Sequence, residues 1–258
     1  MEREIPTANP HRVGAILTVA AMVGLAGAFD VSLSAEDAAS ADALIQMVVA
    51  QTTRAAVSTR ALRELRAGTT SGKHHGWMEV ETVMNPSSGL TWRVLEEGGS
   101  ERTRNKVLRQ VLQAEAASQR NGSDATALTP ENYSFQPLAL QRANQLTIRL
   151  IPRRDDDKLI DGVLTVSPDG YPLQLEGKLA KSPSFWVRTV TIVRRYGRIA
   201  GVALPISLES TADVRLVGQS SFTMRYDYRE VNGERILHST ATDPAFRSSA
   251  DVLAAPRH

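Results

Sequence analysis

The chain contains one pair of adjacent histidines, His74 and His75, which lies close to the acidic residues Glu79 and Glu81. Imidazole and carboxylate groups together are typical zinc ligands. Adjacent residues of a β-strand point to opposite faces of the sheet, so the two histidines cannot chelate one ion in regular β structure. We therefore interpret the pair as part of a solvated loop, and we predict no metal site and no cofactor.

A second group that could bind a metal ion is the acidic run Asp155-Asp156-Asp157. Carboxylate oxygens are the ligands that hard cations prefer, but this run lacks the glycine and the distal glutamate of an EF-hand loop. The preceding residues Arg153 and Arg154 partly neutralise its charge. We interpret the run as a charged turn between strands.

Nucleophilic catalysis has little support in this sequence. No G-x-S-x-G nucleophile elbow is present, and the chain has no cysteine, which excludes thiol nucleophiles, disulfides and cysteine-ligated metals. The histidines outside the N-terminal region and the 74–75 pair are His238 and His258, near the C-terminus. We expect a protein without enzymatic activity, and an envelope hydrolase is the least favoured reading.

Size and composition indicate one globular domain. The chain has 258 residues, of which 42% are hydrophobic and 22% charged, which is enough apolar material for a sizeable core. The formal net charge is only +2, from 30 basic and 28 acidic residues. This balance gives no reason to expect nucleic-acid binding.

The first residues read as an export signal. Two arginines precede an uncharged run from Val13 to Phe29, and Ala26-Gly27-Ala28 matches an A-x-A cleavage site. We predict a signal peptide over residues 1–28, with Ala35 as the latest cleavage position and an uncleaved N-terminal anchor as the alternative. The rest of the chain is then expected in the periplasm.

Two segments show helical spacing of apolar residues. One is Ser40–Gln51, and the other is Glu101–Ser118, which follows the cap candidate Ser100 and is ended by Asn121-Gly122-Ser123. The segment Ala55–Ala67 fits a helix and one face of a strand equally well.

The remaining segments alternate as strands do. Trp77–Met84 and Leu90–Leu95 flank a turn and predict a hairpin. After Pro130 turn residues separate further strands, which are predicted at Leu146–Ile151, Leu159–Val166, Leu173–Leu179, Trp186–Tyr196, Ile206–Leu208, Ala212–Val217 and Phe222–Tyr228. Strands without helices between them favour an antiparallel meander.

These elements predict an α+β fold, in which one curved, open antiparallel sheet carries helices on its concave face. The predicted domain spans residues 36–240, and residues 241–258 form a mobile tail. A sheet that rolls without closing leaves a hollow beneath the helices, lined by the apolar residues that point inward. Such a hollow binds apolar chains through burial alone, at about 0.8 kcal/mol for each methylene.

Strand alternation selects the residues that would line the hollow. Trp92 shares a face with Leu90 and Val94, whereas Trp77 falls on the wetter side of its strand with two glutamates. Sheet core and ligand contact are both open interpretations of these rows. The predicted ligand-binding residues are Met78, Val80, Trp92, Phe185, Trp186, Phe222, Met224 and Tyr226.

The segment Gly177–Trp186 is distinctive because it holds two of only five lysines beside an aromatic pair. Lys178 and Lys181 are predicted to contact an anionic head group at the rim of the hollow. A structural turn in which the aromatic pair anchors the next strand is the alternative.

Several short motifs carry a family resemblance, which covers roughly residues 76–231. The motifs are Leu95-Glu96-Glu97-Gly98-Gly99-Ser100, Arg104-Asn105-Lys106-Val107-Leu108, Glu131-Asn132-Tyr133-Ser134-Phe135, the run from Glu176 to Trp186, and Leu204-Pro205. They resemble uncharacterised bacterial envelope proteins of the lipoprotein-carrier superfamily. That superfamily includes the periplasmic carrier LolA, the outer-membrane receptor LolB and the stress regulator RseB.

The resemblance implies a LolA-like half-barrel with an apolar cavity for acyl chains, and it implies that Ala55–Ala67 is a first strand. Carriers of this type hold a lid closed with an early arginine, and the sequence does not single out one of Arg54, Arg60, Arg63 or Arg66 for that role. The implied function is a periplasmic carrier or sensor of lipids or lipoprotein acyl chains, as in lipoprotein sorting to the outer membrane. The alternative is an RseB-like regulatory module that binds an inner- or outer-membrane protein.

Overall fold

A computed structural model describes residues 35–54, 56–72, 74–120, 127–142, 145–215 and 218–237. The predicted signal peptide over residues 1–28, the predicted tail over residues 241–258 and the turn predicted at residues 121–123 lie outside these residues. Ala35, the latest predicted cleavage position, is the first residue of the first helix. In the described part of the chain, no helix is long and apolar enough to cross a membrane.

Two helical regions are present. Helix α1 spans Ala35–Thr53. The second region runs without a break through α2 (Glu101–Thr103), a π-helical turn (Arg104–Leu108) and α3 (Arg109–Arg120). We refer to residues 101–120 as the covering helix. Its first turn is capped by Ser100, whose side chain accepts a hydrogen bond from the Thr103 backbone N–H, as the sequence predicts.

The strands form a single sheet. Their bounds are β1 Thr59–Thr69, β2 Gly76–Asn85, β3 Gly89–Gly99, β4 Tyr133–Arg142, β5 Gln145–Pro152, β6 Ile160–Val166, β7 Pro172–Leu179, β8 Val187–Ile199, β9 Val202–Val214, β10 Gly218–Val231 and β11 Glu234–Arg235. The order is β3-β2-β1-β10-β9-β8-β7-β6-β5-β4, with β11 paired to β10, and the described pairings are antiparallel. The two ends of this order, β3 and β4, do not pair, so the sheet is open. The predicted fold class is confirmed.

One face of the sheet is apolar and carries both helices. Cross-strand partners point to the same face, so the pairing traces a continuous row across the sheet. The row runs through Ile148, Leu164, Leu175, Arg194, Leu208, Met224, Leu65 and Met78. We call this side the inner face, and Arg194 is the only charged residue in the row.

The helices divide the core of the inner face into two clusters. The covering helix inserts Leu108 and Leu112 against inner residues of β1, β2 and β10. Helix α1 inserts Leu44 and Val48 against β5, β6 and β7. These four side chains are buried, so each helix contributes its apolar stripe to a separate core.

The structure corrects several strand predictions. Ala55–Ala67 fits two interpretations in the sequence, and it contains a strand, β1, as the resemblance implies. Strand β4 was not predicted, and Ile206–Leu208 and Ala212–Val217 belong to one strand, β9. Strand β8 begins after Trp186, at Val187. The predicted hairpin of β2 and β3 is confirmed.

Candidate ligand-binding site

Strand β8 lies between the two cores, and helix α1 contacts both β7 and β9 on either side of it. It occupies the middle of the strand order, and none of its residues from Val187 to Arg198 is buried. Its inner residues Val190 and Ile192 pair with Ala212 and Ser210 of β9. A half-exposed strip of the inner face therefore runs between the two cores.

A cleft of about 410 Å³ opens at one end of this strip. Its floor comes from β1, β9 and β10, and its wall from the start of the covering helix. Phe222 and Val107 are its largest apolar side chains, while Arg102 and Lys106 are cationic. The volume lies within the range of small-molecule sites.

Small residues explain why the cleft lies at this end. The row of the inner face beneath it reads Gly162, Gly177, Ile192, Ser210, Phe222, Ala67 and Gly76. Only two of these residues are large, so little side-chain volume fills the space under the helix. A Cβ atom at Gly76 would approach the Thr103 Cβ to 3.2 Å, so this glycine also lets the covering helix begin close to the sheet.

Ion pairs attach the covering helix to β3. Glu97 binds Arg104 Nη1 through one carboxylate oxygen at 2.6 Å and Arg109 Nη2 through the other at 2.7 Å. The two arginines are five positions apart: Arg104 begins the π-helical turn, and Arg109 directly follows it. The wider turn allows both side chains to reach the same carboxylate, whereas residues of a regular helix meet at spacings of three and four.

A second ion pair attaches the helix to β1. Arg63 Nη1 donates to Glu115 Oε2 at 2.6 Å, and the Arg63 guanidinium lies 4.7 Å from the centre of the Tyr226 ring. The arginine side chain is 5% exposed and the glutamate 29%. Burial opposes the charge of Arg63, but Glu115 and Tyr226 outweigh it and raise its pKa, so the guanidinium stays charged.

Arg194 brings a second guanidinium to the inner face. The electrostatic interaction with Tyr196 raises the pKa of Arg194 against the opposing effect of desolvation. Tyr226, a hydrogen bond with Tyr196, and Glu115 raise it further. Arg63 and Arg194 thus both lie within the field of the single carboxylate of Glu115.

Two tyrosines complete this polar group. The rings of Tyr226 and Tyr228 stack with centroids 6.0 Å apart, and the Tyr228 hydroxyl donates to the Pro205 carbonyl at 3.0 Å. Burial raises the pKa of Tyr226 to about 12, against the opposing effect of Arg63. Burial also raises the pKa of Tyr228.

These shifts predict a loss of stability in alkali. Between pH 10 and about 12 the Tyr226 phenol stays protonated in the folded chain but loses its proton in the unfolded chain. The unfolded state then binds fewer protons, so the free energy of unfolding falls by about 1.4 kcal/mol per pH unit for each such tyrosine. Urea unfolding from pH 9 to about 12, with Tyr226→Phe as the comparison, measures this slope. A slope that is the same in both proteins would contradict the assignment.

The predicted ligand-binding residues fall into three groups. Met78, Val80, Met224 and Tyr226 lie on the inner face and are buried beneath the covering helix. In the closed arrangement described here they form sheet core, and an apolar chain reaches them only when the covering helix moves. Their role as ligand contacts stays a prediction.

A second group lies closer to solvent. Phe222 lines the cleft, and Trp92 of β3 packs against the core beneath the covering helix. Trp92 pairs with Thr82, and its neighbours Leu90 and Val94 share the inner face, as alternation predicts. Trp77 pairs with Gly98 and lies among the outward residues of β2, as predicted.

The third group lies away from the inner core. Phe185 and Trp186 are 71% and 56% exposed, and they pack edge to face outside the strands. Lys178 pairs with Asp161 on the outer face of β6 and β7, and Lys181 is exposed beyond the end of β7. The structure does not bring these residues together with Met78 or Phe222, because Lys178 alternates with the inward Leu175 and Leu179.

The histidine pair at 74–75 and the acidic run at 155–157 lie in loops and turns. His74 lines the cleft, and the His75 ring nitrogen Nδ1 lies 3.2 Å from the Gly72 carbonyl oxygen. The acidic run at 155–157 connects β5 to β6, where Asp156 accepts a hydrogen bond from the Lys158 backbone N–H. Both were predicted as connecting segments.

Sequence reasoning missed the ionic anchors of the covering helix. Glu97 was named only as part of a motif that ends in Gly98-Gly99-Ser100, but it lies in β3 and binds two arginines. Arg63 was one of four arginines between which the sequence could not choose. One signal was available. Arg63 lies two positions from both Ala61 and Leu65, so strand alternation places it on their apolar face, where a charged group needs a partner.

Comparison with known proteins yields structural likenesses only. No family model and no curated protein matches the chain. Similar solved structures include a LolA superfamily protein from Nitrosomonas europaea, with 13% identity and a TM-score of 0.39, covering 76% of this chain and 94% of the other. An outer membrane lipoprotein-sorting protein domain from Vibrio parahaemolyticus has 12% identity and a TM-score of 0.38, covering 74% and 92%.

A third structure, of a DUF1329 family protein from Desulfovibrio piger, has 10% identity and a TM-score of 0.34 and covers 81% of this chain and 98% of the other.

Proposed function

We propose that this protein is a non-enzymatic periplasmic carrier or sensor that binds the acyl chains of lipids or lipoproteins on its inner face. The observation that carries the proposal is the half-exposed strip over β8 and β9, which lies between two helix-covered cores and opens into the cleft at Phe222. Apolar residues left partly open between covered regions are typical of ligand sites. The N-terminal export pattern supports the periplasmic location.

The ionic anchors give this proposal a mechanism. Arg63 and Glu115 hold the covering helix over β1 and β10, and Glu97 holds its first half over β3. Helix movement would break these pairs and expose Met78, Val80 and Met224 to an acyl chain. Binding then requires only that the chain prefers the open state, and release requires an acceptor with higher affinity.

Binding of a fluorescent fatty-acid probe to variants of two adjacent residues of β8 tests the proposal. Ile192 points to the inner face, and its neighbour Val193 points outward between Glu176 and Glu209. We expect the wild-type chain to bind the probe and Ile192→Gln to bind it about fivefold more weakly, because a polar amide replaces apolar contact with the chain. Val193→Gln should bind like the wild type.

Thermal unfolding of both variants checks that the strand is intact. Failure of the wild-type chain to bind the probe would contradict the proposal. Equal weakening by Ile192→Gln and Val193→Gln would also contradict it, since only one of the two side chains faces the strip.

A second candidate function is a regulatory module that binds a membrane protein partner. The exposed aromatic pair Phe185 and Trp186 favours it, because Arg215 lies 4.3 Å from the Phe185 ring and the pair projects from the sheet. Exposed aromatic and arginine side chains are enriched at protein interfaces. Pull-down of a partner that is lost in Phe185→Ala/Trp186→Ala, with probe binding unchanged, would support this candidate.

A further inference from the structure

The cleft has a charged rim above an apolar interior. Arg102 and Lys106 of the covering helix and His74 of the loop before β2 line it, together with Phe222 and Val107. No carboxylate occurs among the described residues that line it. The cleft therefore offers cationic groups at one side and hydrocarbon contact at the other.

The two cations are available for a ligand. Within the described part of the chain, neither Arg102 nor Lys106 forms an ion pair, and both side chains are exposed. By contrast, the neighbouring Arg104 and Arg109 are both used by Glu97. The covering helix thus carries two arginines that attach it to the sheet and two further cations that face the cleft.

The apolar part of the cleft continues into the inner strip. Phe222 pairs with Ser210, and Ser210 pairs with Ile192, so the floor passes from the cleft to β8 without a change of face. An alkyl chain that starts at Phe222 can therefore extend over small and apolar side chains. Val107, which is 38% exposed, provides an apolar wall on the helix side.

We infer that the cleft selects anionic amphiphiles: the anionic head group binds to Arg102 and Lys106, and the alkyl chain passes Phe222 onto the inner strip. This inference rests on the proposed function and names its ligand class. A guanidinium and an ammonium group on one rim fit a phosphate or carboxylate group and repel a cationic one. It places the head-group site on the covering helix instead of on Lys178 and Lys181.

Competition with the fluorescent fatty-acid probe tests this inference on the full chain. The ligands are dodecyl phosphate and dodecylphosphocholine, which share the alkyl chain and the phosphate but differ by the cationic choline. The variant is Arg102→Gln/Lys106→Gln. The matched control is Lys178→Gln/Lys181→Gln, which removes the same charge from the outer face and the β7–β8 loop.

Because the probe is itself anionic, its own affinity for each variant is measured first, and the dissociation constant of each competitor is calculated with that value. We expect the dissociation constant of dodecyl phosphate to be about five- to tenfold higher for Arg102→Gln/Lys106→Gln than for the wild type. Dodecylphosphocholine should change less than twofold, because its net charge is zero. The control variant should behave like the wild type with both ligands. Inorganic phosphate alone should not displace the probe, since the alkyl chain contributes most of the binding.

An unchanged dissociation constant of dodecyl phosphate in Arg102→Gln/Lys106→Gln would overturn the inference and leave the proposed function intact. Weaker competition in Lys178→Gln/Lys181→Gln alone would also overturn it and would restore the lysine site predicted from the sequence. Displacement by inorganic phosphate would indicate a phosphate site without a role for the alkyl chain. Absence of probe binding in the wild-type chain would instead contradict the proposed function itself.

Discussion

Replacing Glu115 with glutamine is expected to lower the free energy of unfolding by about 2 to 3 kcal/mol, more than replacing Arg63 with methionine. Glu115→Gln leaves the guanidinium of Arg63, which is 5% exposed, without its carboxylate. Breaking a buried pair by removing one partner costs several kcal/mol because the other charge is left uncompensated. Arg63→Met leaves only a carboxylate that is 29% exposed and can be hydrated, so about 1 kcal/mol is expected.

Urea unfolding of the two single variants and the double variant measures this asymmetry. The double variant should be more stable than the sum of the single effects predicts, by about 1 kcal/mol or more, because the charges compensate each other. Arg66→Met is the matched control, since Arg66 lies on the same strand but is exposed and pairs with Glu64 at the surface. Similar losses for Arg63→Met and Arg66→Met, without coupling to Glu115, would show that the pair does not hold the covering helix.

Replacing Leu112 with alanine is expected to cost about 2 to 5 kcal/mol and to increase affinity for amphiphiles. The Leu112 side chain is fully buried between the covering helix and the sheet, so its removal leaves a cavity there. If ligand binding requires the helix to move, weaker closure raises the fraction of binding-competent protein. A two- to tenfold tighter binding of the fatty-acid probe should accompany the loss of stability.

Leu95→Ala is the control for this prediction. Leu95 lies on the edge strand β3 and is 41% exposed, so its truncation should cost less than about 1 kcal/mol and leave probe affinity unchanged. Urea unfolding and probe titration on the same preparations give both quantities. Weaker probe binding in Leu112→Ala would mean that this leucine contacts the ligand directly or that the closed state is the one that binds.

The sheet could be predicted from the sequence because most strands alternate clearly. The clear cases are β6 and residues Phe222–Tyr228 of β10, in which every second residue is apolar and faces the helices. Strand β1 was ambiguous because Leu62 points outward while Arg63 points inward, which reverses the expected pattern. Strand β4 was missed because Pro137 interrupts it, and a proline is compatible with the edge position that β4 occupies.

The candidate site could be predicted only in part, since it depends on where the helices lie. Alternation placed Met78, Met224 and Phe222 on one face, but it could not show which of them the covering helix buries. Lys178 was assigned to the head group from its sequence neighbours, although its position between Gly177 and Leu179 places it on the outer face. The sequence did not single out Arg102 and Lys106, because the small residues that leave the cleft beside them come from other segments of the chain.

The contact between Arg63 and Tyr226 also could not be predicted from local sequence patterns. Their pairing across β1 and β10 follows from a register between segments that are far apart in the sequence. The partner Glu115 comes from a third segment, and its contact requires the helix to cross the sheet at one position. Local patterns contain no information on that crossing, so the ion pair that closes the helix over the sheet could only be found in the structure.

The most direct measurement of the proposed function is native mass spectrometry of the chain purified from its own cell envelope without detergent, followed by lipid extraction. We expect bound acylated molecules that dissociate on denaturation, with anionic species enriched over zwitterionic ones. A chain that is empty after purification and that also fails to take up the fatty-acid probe would contradict acyl-chain binding and would favour a protein partner as its ligand.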